Sequence, residues 1–187
     1  MIKKVKMELK KALQTALDFE EKGHHIYEEV SNKTENQIVE KTFRYLANQE
    51  LIHIEVIKEY MKEEKIELKG DKLKETKKFF SMTVGKFKEM LETQSVSKHT
   101  QKSSISDETE LSDDDLKAHE TALELEQKSY DFYKEQREKT ADKDLKKFFG
   151  FLMEQENAHY MLVQKAYNYM KNPDAFYAEE EKWVVEG

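Results

Sequence analysis

The chain has 187 residues, 38% of them charged and 37% hydrophobic, with a net charge of −7. That balance argues against a nucleic-acid partner, which needs a basic face for phosphate, and the absence of cysteine excludes disulfides, thiolate zinc sites, thiol catalysis and iron–sulfur centres within the chain. No apolar run approaches the length of a membrane span, and Met1-Ile-Lys-Lys-Val-Lys leads into an amphipathic pattern with no signal-peptide core, so a cytoplasmic protein with no membrane partner is expected.

Five Gly and one Pro punctuate a chain rich in Lys, Glu, Leu and Met. These residues favour helix, and the apolar positions recur at helical spacing, so a single all-α domain is predicted. The first helix should begin near Lys6 and end near Val30, with Leu9, Leu13, Ala16, Leu17, Glu20, Gly23 and Tyr27 on one stripe. Glu20 then faces inward. Gly23 either leaves room for a bulky group or is a simple notch between helices. Thr34 and Gln37 have capping-box spacing and are expected to open the second helix. That helix carries Phe43, Leu46, Glu50, His53, Ile54, Ile57 and Met61 and fades at Lys65, closing a hairpin over 6–65. The short turn makes the two helices antiparallel neighbours.

Lys69-Gly-Asp71 breaks the pattern. Two short helices are expected at 72–80 and 84–92, packed on the bundle through Phe79, Phe80, Phe87 and Leu91, followed by a Ser/Thr/Lys/Asp-rich linker to Ser112. This segment, 71–112, reads as the long crossover between two hairpins. Its length also allows exchange of hairpins between the protomers of a homodimer. Ser112-Asp-Asp-Asp115 supplies an N-cap and an acidic first turn for the third helix. The second hairpin occupies 113–171, with Ala122, Glu126, Ser129 and Tyr133 on one helix and Phe148, Leu152, Glu156, His159, Val163 and Tyr167 on the other. Asn172-Pro173 stops it, and a short helix and tail, 173–187, are expected to cover one end of the bundle through Phe176 and Trp183.

The informative feature is a repeat at an offset of 106 residues. Glu50-x-x-His53 returns as Glu156-x-x-His159, Glu20 as Glu126, Tyr27 as Tyr133, Phe43 as Phe149, Leu46 as Leu152 and Gln49 as Gln155. A single Glu-x-x-His is weak, and Glu21-x-x-His24, whose echo is Gln127 and Tyr130, is read as a chance match. Residues three apart share a helix face, so each pair points into the core, where an unpaired charge costs several kcal/mol. Four carboxylates and two divalent ions cancel in charge. Without metal, the carboxylates repel and take up protons. Carboxylates suit hard cations, and imidazole shifts the preference toward iron, manganese or zinc and away from calcium. Tyr27 and Tyr133, seven residues past the lone Glu on the same face, are candidates to hydrogen-bond a ligand carboxylate or to trap a radical; an ordinary buried tyrosine is the alternative. His24, four residues from Glu20, is read as a polar core or rim residue, with a metal role as the alternative, and His25, His99 and His119 as solvated.

The set resembles that of the ferritin-like di-iron and di-manganese bundles, and the resemblance implies that Glu50 and Glu156 bridge two metals, with Glu20 and Glu126 as terminal ligands beside His53 and His159. Among those bundles the chain resembles the rubrerythrin family, through Ala16-Leu-Asp-Phe-Glu20-Glu-Lys-Gly23 with Tyr27, Gln49-Glu50-Leu-Ile-His53, Ala122-Leu-Glu-Leu-Glu126 with Tyr133, and Gln155-Glu156-Asn-Ala-His159. Asn172-Pro-Asp-Ala-Phe-Tyr177 and Val185-Glu-Gly187 also look like endings in that group. The resemblance implies a ferritin-like four-helix bundle, built of two antiparallel hairpins joined by a long crossover. It also implies two iron ions that reduce hydrogen peroxide, or handle O₂. Two departures stand out. No rubredoxin-type cysteines are present, so electrons would come from an external donor such as rubredoxin. Ser129 occupies the place of an extra carboxylate ligand, which points toward a plainer ferritin-type or oxidase-type centre. Iron handling without efficient turnover, and a bundle merely stabilised by metal, are the competing functions.

Overall fold

Four amphipathic helices carry the fold, and a computed structural model describes residues 2–62 and 112–172, with side chains from Met7 onward. They are α1 (Ile2–Lys33), α2 (Gln37–Lys62), α3 (Asp113–Lys139) and α4 (Lys143–Lys171). The expected accessory helices, the linker and the C-terminal segment lie outside the described residues. The described residues are all-α and form a four-helix bundle. α1 packs along α2 and α3 along α4; the two hairpins then meet through α1 against α3 and α2 against α4. No helix among the described residues is long and apolar enough to cross a membrane.

The starts of α2, α3 and α4 each have a chemical reason. Asn36 opens α2, its Oδ1 accepting from the amides of Ile38 at 2.9 Å and Val39 at 3.2 Å. This corrects the expected Thr34 cap: Thr34 Oγ1 instead accepts from Asn36 N and donates to Asp115 Oδ1 at 2.7 Å, so it ties the first turn to α3. Ser112 caps α3 as expected, with Asp115 completing the box. Asp142 caps α4 through the amides of Asp144 and Leu145. Such caps are worth about 1 kcal/mol each.

The core is one apolar seam running the length of the bundle. Leu13, Ala16, Leu17, Phe43, Leu46, Ile57, Ala122, Phe148, Phe149, Leu152, Val163 and Ala166 are all buried. The Thr34–Asp115 bond places the start of α3 beside the start of α2, whereas Tyr60, near the end of α2, stacks on Phe148 at the opposite end of the bundle. The chain therefore leaves α2 at one end and enters α3 at the other, as a crossover topology demands. α1 and α3 run antiparallel, since Tyr27 meets Glu126 while Tyr133 meets Glu20.

Candidate metal centre

At mid-bundle the seam turns polar. Glu20 of α1, Glu50 and His53 of α2, Glu126 of α3, and Glu156 and His159 of α4 converge there, none more than 2% exposed. All six predicted ligands are brought together. One candidate ligand atom from each of Glu50, His53, Glu156 and His159 lies within 4.8 Å of the others. His53 Nδ1 is 3.0 Å from Glu20 Oε2, 3.0 Å from Glu50 Oε2 and 3.5 Å from Glu156 Oε1. His159 Nδ1 is 3.2 Å from Glu50 Oε1 and 3.4 Å from Glu126 Oε2. The two rings stack at 5.2 Å. Glu50 thus turns one oxygen to each imidazole, and both imidazoles present Nδ1 to the carboxylates.

The electrostatics are those of a site short of positive charge. Burial, then the charge of Glu20, pushes the Glu50 carboxyl well above its usual range. Burial, then the charges of Glu20, Glu50 and Glu126, does the same to Glu156. Burial alone would also raise Glu20, but hydrogen bonding with Glu50, the charge and hydrogen bond of His53 and the Tyr133 hydroxyl outweigh it and hold Glu20 down to about 2. Burial opposes a charge on His53, yet Glu20 and Glu50 raise it to about 9. In the metal-free site His53 and Glu20 therefore favour their charged forms, while Glu50 and Glu156 favour their protonated ones.

The donor set fits divalent cations. Glu126 Oε2 and Glu156 Oε1 are buried acceptors without a hydrogen bond. Unsatisfied buried acceptors cost about 1–3 kcal/mol each, a cost that cation binding would relieve. Carboxylate oxygens with two imidazole nitrogens suit first-row divalent metals.

Both tyrosines contact the cluster, and they do so crosswise. Tyr27 Oη donates to Glu126 Oε1 at 2.5 Å, and Tyr133 Oη donates to Glu20 Oε1. Burial, then the neighbouring carboxylates, pushes both phenols well above their usual range. Ser129 is buried one turn past Glu126. At the repeat-related position, a Cβ added to Gly23 would meet Glu50 Cγ at 3.5 Å and Tyr27 Cε2 at 3.7 Å. The space beside Gly23 is taken by Glu50 and Tyr27, which favours the notch reading.

The histidines outside the cluster divide. His24 is a partly buried rim residue with Nδ1 3.0 Å from the Ala47 carbonyl, and His25 is exposed. His99 lies outside the described residues. His119 corrects the solvated reading. It is fully buried, its Nδ1 donates to the Asp115 carbonyl at 2.7 Å, and its ring meets Phe43 edge-on. The signal was present in the sequence: His119 lies seven residues before Glu126, on the same inner stripe.

Fold and cluster together define a four-helix bundle with a buried carboxylate–histidine metal-binding site. Residues 11–167 match the Rubrerythrin family model, and the chain belongs to that family. No curated protein and no solved structure matches it.

Proposed function

We propose that the protein is a non-haem di-iron oxidoreductase that reduces hydrogen peroxide, or O₂, with electrons from a separate donor protein. The observation that carries the reading is the buried set of four carboxylates and two imidazoles, whose charge two divalent cations would balance. Glu50 and Glu156 would bridge the ions, Glu20 and Glu126 would cap them, and His53 and His159 would bind through Nδ1. Bound as ferrous ions, the pair supplies the two electrons that convert hydrogen peroxide and two protons to two waters. The chain's own residues prepare that chemistry. Tyr27 and Tyr133 orient the terminal carboxylates through their hydroxyls. Glu50 and Glu156 hold protons that metal entry releases. The apolar seam above and below keeps bulk water out. Manganese and zinc suit the same ligands, so iron is the part of this reading that loading must test.

The test is anaerobic loading with ferrous iron, followed by mixing with peroxide. The expected result is two iron ions per chain, oxidised with two electrons per site and faster than free ferrous ion. Oxidation no faster than that of free ferrous ion overturns the reading. Ser129, buried where a further carboxylate could stand, favours a second reading, iron handling without efficient turnover. Shell-type storage requires a hollow multi-subunit particle, so a particle of one or two chains excludes it.

A further inference from the structure

Each buried tyrosine of the centre is the inner end of an aromatic chain, and the two chains leave at opposite ends of the bundle. From Tyr27 the contacts run to Phe43 at 5.7 Å, on to His119 at 4.9 Å, and to Tyr167 at 6.0 Å. Tyr167 is partly exposed, with the Lys171 ammonium 5.3 Å over its ring. From Tyr133 they run to Phe149 at 6.3 Å, Phe148 at 5.4 Å and the partly exposed Tyr60 at 4.2 Å.

The repeat relates the inner members but not the outer ones. Tyr27 pairs with Tyr133 and Phe43 with Phe149. The repeat partners of His119 and Tyr167 are Leu13 and Met61, and those of Phe148 and Tyr60 are Thr42 and Ala166. A core needs only apolar volume, which Leu13 supplies at the position related to His119. It does not need a buried imidazole whose Nε2 has no hydrogen-bond partner. Aromatic continuity to the surface is thus achieved at each end with different residues.

We propose that Tyr167, His119, Phe43 and Tyr27 form the route by which single electrons from an external one-electron donor protein reach the metal centre. The purpose of the route rests on the oxidoreductase reading; its test does not. Oxidation of a phenol to its neutral radical releases one electron and one proton. Tyr27 passes its electron to the oxidised centre and its proton to Glu126 Oε1, 2.5 Å away. An electron entering through Tyr167 then restores the phenol as the proton returns. Phe43 and His119 bridge and are not themselves oxidised. The surroundings give the route a direction. Tyr27 faces a proton acceptor, whereas the Tyr167 hydroxyl receives a hydrogen bond from the Lys171 ammonium at 3.4 Å, a cation that takes no proton and disfavours a positive hole. A hole created at this surface therefore settles inward. Tyr60, at the other end, lies in the field of Asp142 and Asp144, which favours a hole at the surface instead.

The absence of cysteine makes a clean test possible. Exposed Asn168, next to Tyr167, is changed to Cys and labelled with a ruthenium polypyridyl photo-oxidant. Flash oxidation of the metal-free protein is expected to give, by electron paramagnetic resonance, a long-lived radical on buried Tyr27, distinct from any transient one at partly exposed Tyr167. That signal should vanish with Tyr27→Phe, vanish with Tyr167→Phe, and rise more slowly with His119→Leu at unchanged helix content. Tyr167→Phe removes one hydroxyl at a partly exposed ring, so the test does not depend on a core variant folding. A long-lived signal that survives Tyr27→Phe, or that forms as fast with Tyr167→Phe or His119→Leu, overturns the proposal. Since no metal is present, failure here is distinct from failure of the peroxide reaction.

Discussion

The two hairpins match at the metal centre and diverge two turns away from it. At the centre each contributes a lone Glu, a Glu-x-x-His and a tyrosine bonded to the other hairpin's Glu. At the end where the first turn lies, Thr34, Ser112 and Asp115 form a polar staple above buried His119. At the opposite end, Phe148, Phe149 and Tyr60 form an aromatic cluster beside the Asp142 cap. The difference teaches where constraint resides. Balancing charge on two cations fixes residue type at related positions in both halves. Closing the ends of a bundle demands only buried volume and satisfied helix termini, which many residues provide.

The largest effects should come from breaking the symmetry of the ligands. Glu50 turns one oxygen to each imidazole, at 3.0 Å and 3.2 Å, whereas Glu20 turns Oε2 to His53, at 3.0 Å. Glu50→Ala should abolish binding of both ferrous ions, and Glu20→Ala should leave one, read by anaerobic iron titration. Equal losses in the two variants would show that Glu50 has no bridging role.

The pH profile of the metal-free protein sharpens the charge argument. Glu50 and Glu156 have carboxyl pKa values raised in the fold, so the unfolded chain releases protons first and stability falls as pH rises above 4.5. Glu20, held at about 2, works in the opposite sense, but its contribution is complete above 4.5. His53, raised to about 9, stabilises fully below 6.5 and loses that contribution between 6.5 and 9. Above pH 6.5 the remaining trends therefore point downward together. Melting temperature of the metal-free protein should drop from pH 6.5 to 9, and a bound divalent cation should flatten the curve. A flat metal-free profile would mean that the buried carboxyls do not titrate as the geometry requires.

A smaller effect tests whether the tyrosines are equivalent. Tyr27→Phe and Tyr133→Phe each leave a buried carboxylate oxygen without its donor, at a cost of about 1.5–3 kcal/mol. Chemical denaturation of the metal-free variants should give similar losses. A clear inequality would show that the halves already differ at the cluster.

The repeat made the six ligands legible in the sequence because metal chemistry demands particular residue types, and an offset of 106 recovers them in one step. The crosswise tyrosine bonds were not legible. Seven residues are two helical turns, about 10 Å, so each tyrosine is out of reach of its own helix's Glu. Only the antiparallel register of α1 and α3 brings it level with the other. The start of α2 differs from the expected one for a tertiary reason. Thr34 and Asn36 both suit a cap, and the choice was made by Asp115, a residue 81 positions away that engages the threonine hydroxyl. His119 was misread because histidine usually lies at a surface; its place on the inner stripe was the better guide.

That residue gives the smallest effect and the closest test of the divergent ends. His119→Leu installs the residue that the repeat places at Leu13. The change removes a buried Nε2 that has no hydrogen-bond partner and forfeits the Nδ1 bond to the Asp115 carbonyl. That carbonyl sits in the first turn of α3, where the helix's own amides serve it. Removing an unsatisfied group while keeping its volume is near neutral or stabilising, so stability at pH 7 should stay within about 1 kcal/mol of the original or exceed it. Burial lowers the His119 pKa below 6.5, so the unfolded chain takes up a proton first as pH falls and the native protein loses stability there. The leucine variant lacks that loss, and its advantage should widen below pH 6.5. A variant that is instead markedly less stable at pH 7 would show that Nε2 has a partner within the core, and the two ends would then differ in polar design as well as in aromatic content.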